Sequence, residues 1–167
     1  MLFRLDEVLI SKTGVRKMMV RKAKISDVKV IFKFIERFAA KGDMLQRPVS
    51  EIYNTLRDFY VYEDDGVILG TCALHICWED LAEVRSLAVD ESAKEKGIGR
   101  ALLGACIEDA KEMGVPRLFA LTYREGFFKK LGFDVIDMKT LPQKIWTDCV
   151  KCAKFPECDE TAVMLKL

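Results

Sequence analysis

Two glycines stand one residue apart in the stretch DESAKEKGIGRALL, which covers residues 90–103. Glycine lets the backbone come close to a ligand because it carries no Cβ atom. The first turn of a helix leaves N–H groups without helical partners and carries the positive end of the helix dipole, so it favours an anion. Two interpretations are open for Gly97 and Gly99: ordinary capping of a helix, or a backbone that binds phosphate.

The better-known nucleotide-binding patterns do not fit this stretch. The spacing G-x-G-x-x-G is missing, and the preceding strand belongs to an antiparallel meander and not to a βαβ unit. The P-loop pattern is also missing. If the glycines bind an anion, they do so in another structural context.

The strand before the glycines, AEVRSLAV over residues 82–89, carries two charged side chains. Glu83 and Arg85 share one face of this strand because side chains alternate with a period of two. A carboxylate can act as a base, and a guanidinium can bind a carboxylate in a bidentate manner. An exposed charge pair is the other interpretation of these two residues.

Three cysteines lie close together in DCVKCAKFPEC, at Cys149, Cys152 and Cys158. The C-x-x-C spacing is typical of metal ligands, and zinc would need a fourth ligand. That ligand would come from a nearby carboxylate: Asp148, Asp159 or Glu160. Without a second C-x-x-C the zinc pattern is incomplete, and the thiols equally suit a packing cluster or an oxidisable pair. We therefore predict no metal, with zinc as the minor alternative.

The remaining thiols and the single histidine lie on predicted strands and helices. Cys72, Cys77 and Cys106 fall on core positions, where we expect buried thiols. His75 lies on the strand GTCALHIC, and a lone strand histidine is typically a structural hydrogen-bonding group.

The hydrophobic pattern predicts the element order β-α-α-β-β-β-α-β-α-β. Ser26 is the expected N-cap of the first helix, and Ser50 that of a second helix in RPVSEIYNTLRDF. The first helix should bury five apolar side chains: Val30, Ile31, Phe34, Ile35 and Phe38. The third helix should bury another five: Ile98, Leu102, Cys106, Ala110 and Met113. The sequence DDG predicts a hairpin turn between the next two strands, and Gly114 with Pro116 should end the helix that follows the glycines.

Length and composition are those of a globular chain. The 167 residues suit one domain, with residues 1–18 as an N-terminal extension and residues 19–167 as the domain itself. A formal net charge of +1 gives no broad footprint for nucleic acid, and no apolar run is long enough for a membrane span. The start is a poor signal peptide, and six cysteines without such a signal favour thiols or metal ligands over disulfides, so we expect a cytoplasmic protein. The fold class is α/β with a mixed sheet.

The stretch VRSLAVDESAKEKGIGRALL, followed by FFKKLGF, resembles the GNAT superfamily of N-acetyltransferases. This resemblance covers roughly residues 20–167 and implies a single domain with a central, mostly antiparallel sheet flanked by helices. In that family a Q/R-x-x-G-x-G/A loop binds the pyrophosphate of acetyl-CoA. Lys94 stands here in place of the usual Gln or Arg. The cofactor-binding positions implied by the resemblance are Leu87, Ala88, Val89, Lys94, Lys96, Gly97, Ile98, Gly99 and Arg100.

Three further stretches, at residues 44–66, 73–89 and 141–160, are similar to the acetyltransferase domain of N-acetylglutamate synthases. This similarity implies transfer of the acetyl group of acetyl-CoA to the amino group of L-glutamate, the first step of arginine biosynthesis. It implies no kinase-like domain of the kind often fused to such synthases, because that would need about 250 more residues. A homodimer is compatible with the sequence, and neither nucleic acid nor membrane is an expected partner.

The resemblance also assigns roles to single residues. It implies that Glu83 is the base and that the backbone N–H near Leu87 polarises the thioester carbonyl. Many GNAT enzymes have a tyrosine acid where this chain has Phe128, so Tyr123 is the expected replacement, unless the thiolate leaves without a proton donor. Arg47 and Arg85 are the expected ligands of the substrate carboxylates. Two lysines are weaker candidates: Lys139 and Lys144.

Two alternatives stay open for the activity. The same scaffold would suit an acetyltransferase for another small amine or for a protein N-terminus. A non-catalytic module that binds acetyl-CoA and regulates a partner is the alternative from another class.

Overall fold

A computed structural model describes residues 10–11, 14–15, 17–142, 149–150, 152, 154 and 156–167. Within this part of the chain the first strands are β1 Ile10–Ser11, β2 Gly14–Val15, β3 Met18–Lys22, β4 Phe59–Asp64 and β5 Val67–Trp78. The later strands are β6 Leu81–Val89, β7 Arg117–Thr122, β8 Asp134–Ile136 and β9 Thr161–Lys166. The helices are α1 Val28–Ala40, α2 Val49–Asn54, α3 Ile98–Glu112 and α4 Glu125–Lys129.

Seven of these strands form one mixed sheet in the order β3-β4-β5-β6-β7-β9-β8, and β1 pairs with β2 in a separate small sheet. Among the described strands of the large sheet, β6 and β7 pair in parallel and the other neighbours pair antiparallel. This confirms the predicted mixed α/β fold with a mostly antiparallel sheet. No helix in the described ranges combines the length and the apolar character that crossing a membrane requires.

The two faces of the sheet carry different helices. Side chains of α1 and α2 form one buried cluster with Phe59, Val61 and Ala73. Side chains of α3 and α4 form the larger cluster on the opposite face, where they meet Leu74, Val84 and other strand residues. Since side chains of a strand alternate between faces, the neighbours Ala73 and Leu74 belong to opposite clusters.

The first helix starts later than the sequence predicts. Ser26 is not its N-cap but lies in a 3-10 turn, Ile25–Asp27, and Asp27 stands before the helix. The Asp27 carboxylate accepts the Lys24 backbone N–H at 2.7 Å and pairs with Arg21 at 2.6 Å, so it fixes this turn. Val30, an expected core residue, is 38% exposed, because the buried stripe of the helix runs from Val28 to Ile31 and leaves Val30 outside it.

The second helix is shorter than predicted. It ends at Asn54, and a 3-10 turn, Leu56–Asp58, leads into β4. Ser50 is not its N-cap, because Pro48 occupies that position. Proline fits there since its ring fixes φ near the observed −59°.

The third helix confirms four of its five predicted core residues. Ile98, Leu102, Cys106 and Ala110 are buried, but Met113 lies past the last helical residue and is 49% exposed. Gly114 adopts φ +75°, and its N–H donates to the Lys111 carbonyl at 3.0 Å. Both features are typical of the end of a helix. The predicted helix stop is therefore confirmed.

The hairpin between β4 and β5 is also confirmed. Asp65 and Gly66 both have positive φ, at 49° and 81°, which is the conformation of a two-residue type I′ turn. Its strands pair with one irregularity between Tyr62 and Glu63. Thr71 then donates its hydroxyl to the Tyr60 carbonyl at 3.1 Å and ties the two strands together.

The end of the chain contains one strand more than predicted. After α4 the sequence predicts a single final strand, whereas the structure has β8 and β9 paired antiparallel. Strand β8 has only three residues, two of them exposed, so it shows too little alternation to be recognised in the sequence.

A bulge in β6 shapes the centre of the molecule. Thr71 pairs with Ala88 but Ala73 pairs with Arg85, so two residues of β6 face one residue of β5. Ser86, inside this bulge, has φ 54°, which is rare for a residue other than glycine. Downstream of it β6 has no described pairing with β7, because those strands pair only at Ala82 and Glu83. The sheet therefore opens between the carboxyl-terminal halves of β6 and β7.

Candidate active site

A cavity of about 500 Å³ lies in this opening between β6 and β7. Its walls come from four parts of the chain: strand β6, the start of α3, the end of β7 with α4, and the loop before α2. Cys149, Cys152, Cys158 and Glu160 add a further wall. The structure thus brings together residues that are far apart in the sequence.

One end of the cavity is formed by the start of α3. Gly97 is the N-cap and has φ 78°, a left-handed conformation that favours glycine. Its carbonyl accepts the Ala101 N–H at 3.0 Å, the first bond of the helix. The three N–H groups between them, on residues 98–100, precede the first regular helical donor. They lie at the N-terminus of α3, which is the positive end of the helix dipole.

Gly99 fills a second role at this end. A Cβ atom at that position would meet the Phe127 ring at 3.4 Å and Val89 at 3.8 Å, so the bare glycine keeps the helix start close to the cavity walls. Glu95, two residues before the N-cap, also has a positive φ, at 67°. The loop is therefore bent twice, at Glu95 and Gly97, before it enters the helix.

Eight of the nine predicted cofactor-binding residues line the cavity. Seven of the nine are exposed or half-buried. Those eight are Leu87, Ala88, Val89, Lys94, Gly97, Ile98, Gly99 and Arg100. Lys96 is the exception, since it is exposed and is not among the described lining residues. Lys94 lies 3.6 Å from the Glu91 carboxylate, so the cation is held near the helix start.

Two aromatic rings add apolar surface to the cavity wall. Phe127 and Phe128 contact each other edge to face, with ring centroids 5.3 Å apart, and both line the cavity. Phe128 also contacts Phe133 at 5.2 Å and is only 4% exposed, so it belongs to the core. A phenyl ring has no proton to donate, and the structure gives Phe128 a packing role.

At the opposite end Glu83 and Arg85 point into the cavity from the same face of β6, as their spacing predicts. The Glu83 side chain is 16% exposed and that of Arg85 is 7% exposed, and Arg85 Nη1 lies 3.8 Å from Glu83 Oε2. Partial burial strengthens the interaction between these two charges, because water screens them less.

Arg47 reaches the same end from the loop before α2. Its side chain is 6% exposed, lines the cavity, and is ion-paired with Glu51 one helical turn further on. Two guanidinium groups, those of Arg47 and Arg85, therefore line the end that holds Glu83. Lys139 is exposed and is not among the described lining residues, while Lys144 lies outside the residues that the structure describes.

Tyr123 lies directly after β7 and lines the cavity. Its hydroxyl donates to Asp159 Oδ1 at 2.7 Å and accepts from the Lys154 ammonium, which also lies 4.4 Å from the centre of the ring. Partial burial raises the pKa of the Tyr123 phenol above its ordinary value, although the Lys154 contact opposes this. The phenol is therefore protonated at neutral pH and able to donate.

Lys154 connects two walls of the cavity. Besides Tyr123 it contacts the Gly42 carbonyl at 3.4 Å, in the turn after α1. Hydrogen bonding to Tyr123 raises the pKa of Lys154 to about 12, so this contact is between a charged ammonium and a neutral phenol. Lys154 thereby links Tyr123, which follows β7, to the turn after α1.

The three clustered cysteines all line the cavity and are half-buried free thiols. Burial raises the pKa of Cys149 to about 11, and the charges of Cys158 and Glu83 act in the same direction. Burial also raises the pKa values of Cys158 and Glu160. Within the described residues no group of three or more His, Cys, Asp or Glu side chains is arranged to hold a metal ion.

The other thiols agree in part with their predicted burial. Cys72 and Cys106 are buried in the core with their sulfur atoms 3.6 Å apart. Cys77, near the end of β5, is only half-buried.

Several site residues have no signal in a single sequence. Phe38 and Met44 line the cavity from α1 and the following loop, and Glu160 lines it from just before β9. Only the fold brings these residues to the site, since ordinary core and surface positions share the same residue types. Glu51 pairs with Arg47 four residues earlier, although Arg47 itself lies in the loop before α2.

The family model of the acetyltransferase (GNAT) family matches residues 32–133, which include β6, the loop and α3. The chain belongs to this family. The predicted family membership is confirmed, and the protein is an acyltransferase of the GNAT type. The matched range contains Glu83, Arg85, Arg47 and the paired glycines.

Curated relatives are similar over most of the chain. An uncharacterized N-acetyltransferase of Chlorobaculum tepidum is 42% identical over 89% of this chain and 96% of its own length. The amino-acid acetyltransferase of Mycobacterium tuberculosis is 34% identical over 71% of this chain and 69% of its own length. The two relatives thus agree on acetyl transfer, and one of them is named for amino acids.

Solved structures have the same fold. N-acetylglutamate synthase from Neisseria gonorrhoeae, complexed with coenzyme A and N-acetyl-glutamate, has 27% sequence identity and a TM-score of 0.82 over 90% of this chain and 35% of that one. A Mycobacterium tuberculosis protein in complex with CoA has 26% identity and a TM-score of 0.78 over 89% of this chain and 99% of that one. The GNAT fold predicted from the sequence is therefore confirmed.

Proposed function

We propose that this GNAT protein transfers the acetyl group of acetyl-CoA to the amino group of L-glutamate, the first step of arginine biosynthesis. The observation that carries the proposal is the cavity itself. One continuous space has the start of α3 at one end and Glu83 with two arginines at the other. In this proposal residues 19–167 are the catalytic domain, and residues 1–18 precede it.

Acetyl-CoA would bind at the end formed by α3. The N–H groups of residues 98–100 would hold its pyrophosphate, because unpaired amides and the helix dipole both attract an anion. Lys94 and Arg100, which line the same end, add positive charge. The apolar strip of Leu87, Ala88 and Phe127 would contact the uncharged arm that leads to the thioester. Solved neighbours with CoA bound support this placement.

Glu83 would act as the base. The substrate amine arrives as an ammonium ion and must lose a proton before its nitrogen can attack the thioester carbonyl. Glu83 faces the cavity on the same strand as Leu87, whose backbone N–H would polarise that carbonyl. The carboxylate takes up one proton in each turnover.

Tyr123 would supply a proton to the departing thiolate. Its phenol is neutral, lines the cavity and is held between Lys154 and Asp159. The requirement for a donor is modest, because a thiol has an ordinary pKa near about 8.5 and its thiolate is a tolerable leaving group. The base should therefore matter more to the rate than the acid.

The two arginines support an acceptor that carries two carboxylates. Arg47 and Arg85 are both buried charges facing the end that holds Glu83, and guanidinium groups bind carboxylates in a bidentate manner. L-glutamate has one carboxylate beside the reacting amine and one at the end of its side chain. The relative from Mycobacterium tuberculosis that is named an amino-acid acetyltransferase supports the same class of acceptor.

The proposal is tested by thiol release from acetyl-CoA over a panel of amines. The panel contains glutamate, glutamine, aspartate, lysine, glycine and a short peptide with a free N-terminus. We expect the highest kcat/KM with glutamate. A large preference for another amine would refute glutamate as the acceptor, and binding of acetyl-CoA without thiol release for any amine would indicate a regulatory module.

A further inference from the structure

The single histidine of the chain lies beside the proposed base. His75 on β5 is the register partner of Glu83 on β6, and Ala73 is the partner of Arg85. Residues that face each other in an antiparallel pair project to the same side of the sheet, with Cβ atoms about 5 Å apart. The His75 side chain therefore neighbours that of Glu83 on the face covered by α1 and α2.

His75 is held by a carboxylate that the proposed reaction does not use. Its Nδ1 atom lies 2.7 Å from Asp58 Oδ2, and Asp58 ends the 3-10 turn before β4. A carboxylate at this distance accepts the Nδ1–H of the ring and so selects the tautomer in which Nε2 accepts a proton. It also stabilises the imidazolium ion that forms when Nε2 takes up that proton.

The His75–Asp58 pair lies outside the cavity wall and is partly exposed to solvent. Glu83 is among the described residues that line the cavity, whereas His75 and Asp58 are not. The His75 side chain is nevertheless 35% exposed and that of Asp58 is 23% exposed. The order Glu83, His75, solvent is thus also the order from the cavity wall to the surface of the protein.

We propose that the His75–Asp58 pair takes the proton from Glu83 and releases it to solvent outside the cavity that would hold the substrates. This inference rests on the proposed function, because it requires that Glu83 is the base. His75 acts through Glu83 and does not touch the substrate. The route explains how the base is reset while the cavity is still occupied.

The proton balance of the route is simple. The ammonium group of the acceptor gives one proton to the Glu83 carboxylate and becomes the attacking amine. The protonated Glu83 gives that proton to Nε2 of His75, and the imidazolium, balanced by Asp58, gives it to water or buffer. Imidazole suits this step because one ring nitrogen can accept a proton while the other donates one. Each group ends the cycle in the state in which it began.

The test compares two substitutions of the histidine in the full chain. His75→Asn keeps an N–H donor for Asp58 but cannot carry a proton, and His75→Ala leaves space for an added imidazole molecule. We expect both variants to lose about ten- to hundred-fold in kcat with little change in either KM, which is less than the ~10²–10⁴-fold of a direct general base because His75 acts through Glu83. Added imidazole should restore kcat in His75→Ala and not in His75→Asn or Glu83→Gln.

Three results would overturn the route. Full activity of His75→Asn would show that only the hydrogen bond to Asp58 matters. Loss of activity in both variants without rescue by imidazole would assign the loss to packing. Equal rescue of Glu83→Gln would show that imidazole acts directly on the substrate.

The failure of this inference and the failure of the proposed function are distinguishable. If glutamate is acetylated and Glu83→Gln is inactive while His75→Asn is fully active, only the proton route is wrong. If Glu83→Gln keeps its activity, the role of Glu83 is wrong and the route falls with it. Cys77→Ser, a change two residues along β5, controls for disturbance of the strand and should leave kcat unchanged.

Discussion

At the α3 end of the cavity the groups that face a ligand belong to the backbone, whereas at the Glu83 end they belong to side chains. The α3 end depends on the left-handed φ of Gly97 and on the amides of the first helical turn. The Glu83 end depends on Glu83, Arg85 and Arg47, which come from β6 and from the loop before α2. Under the proposed function this difference would follow from the ligands, because the cofactor phosphate would be common to every turnover and the acceptor would decide specificity.

The two ends should therefore respond differently to substitution. A backbone site is insensitive to most side-chain changes, but it is sensitive to any residue that prevents the local conformation. A site of charged side chains loses its function when one charge is removed. Changes at one end should affect one substrate and leave the other unaffected.

The largest effect is expected for Glu83→Gln. This substitution keeps the shape of the side chain and removes its ability to accept a proton, so kcat should fall by about a hundred-fold or more. The dissociation constant for acetyl-CoA, measured by isothermal titration calorimetry, should stay unchanged because that ligand is held at the other end. Equal losses in kcat and in acetyl-CoA affinity would mean that the two ends are not separate.

An intermediate effect is expected for Arg85→Gln. A hydrogen bond to a charged group contributes about 1.5–3 kcal/mol, so the KM for the acidic acceptor should rise by about ten- to hundred-fold. The KM for acetyl-CoA should not change. Arg117→Gln, which removes a surface ion pair with Asp80, is the control and should alter neither KM. An unchanged acceptor KM in Arg85→Gln would exclude this arginine from the acceptor site.

The smallest effect is expected from a pair of identical changes in α3. Gly97→Ala places a Cβ atom on a residue with φ 78°, which costs about 1–2 kcal/mol, so the melting temperature should fall and the KM for acetyl-CoA should rise several-fold. Gly104→Ala lies in the helix interior with no atom within 4 Å of the new Cβ. It should instead gain about 0.5–1 kcal/mol and raise the melting temperature by a few degrees. Equal melting temperatures of the two variants would refute the argument from the backbone conformation.

The contrast between the two ends also explains what the sequence predicts and what it does not. The α3 end is local in sequence: Lys94, Gly97 and Gly99 lie within six residues, so the motif and the helix that follows are both visible. Strand β6 is equally visible from its alternation. The hairpin at Asp65 and Gly66 follows from residue types that tolerate positive φ.

What the sequence does not predict depends on contacts between distant segments. The bulge at Ser86 is defined by the pairing of β6 with β5. The three-residue strand β8 is defined by its pairing with β9. The helix starts at Ser26 and Ser50 were wrong, because Asp27 and Pro48 occupy the capping positions. The His75–Asp58 contact joins β5 to a turn seventeen residues earlier, and no local sequence pattern predicts it.

The opening between β6 and β7 has a consequence for the order in which the two substrates bind. It connects the face of the sheet that carries α1 with the face that carries α3, so the cavity is lined from both sides. Two molecules entering from opposite faces meet at the gap without either one crossing the position of the other. Under the proposed function we therefore expect no obligatory order of binding, with the acetyl group passing directly from donor to acceptor when both are present.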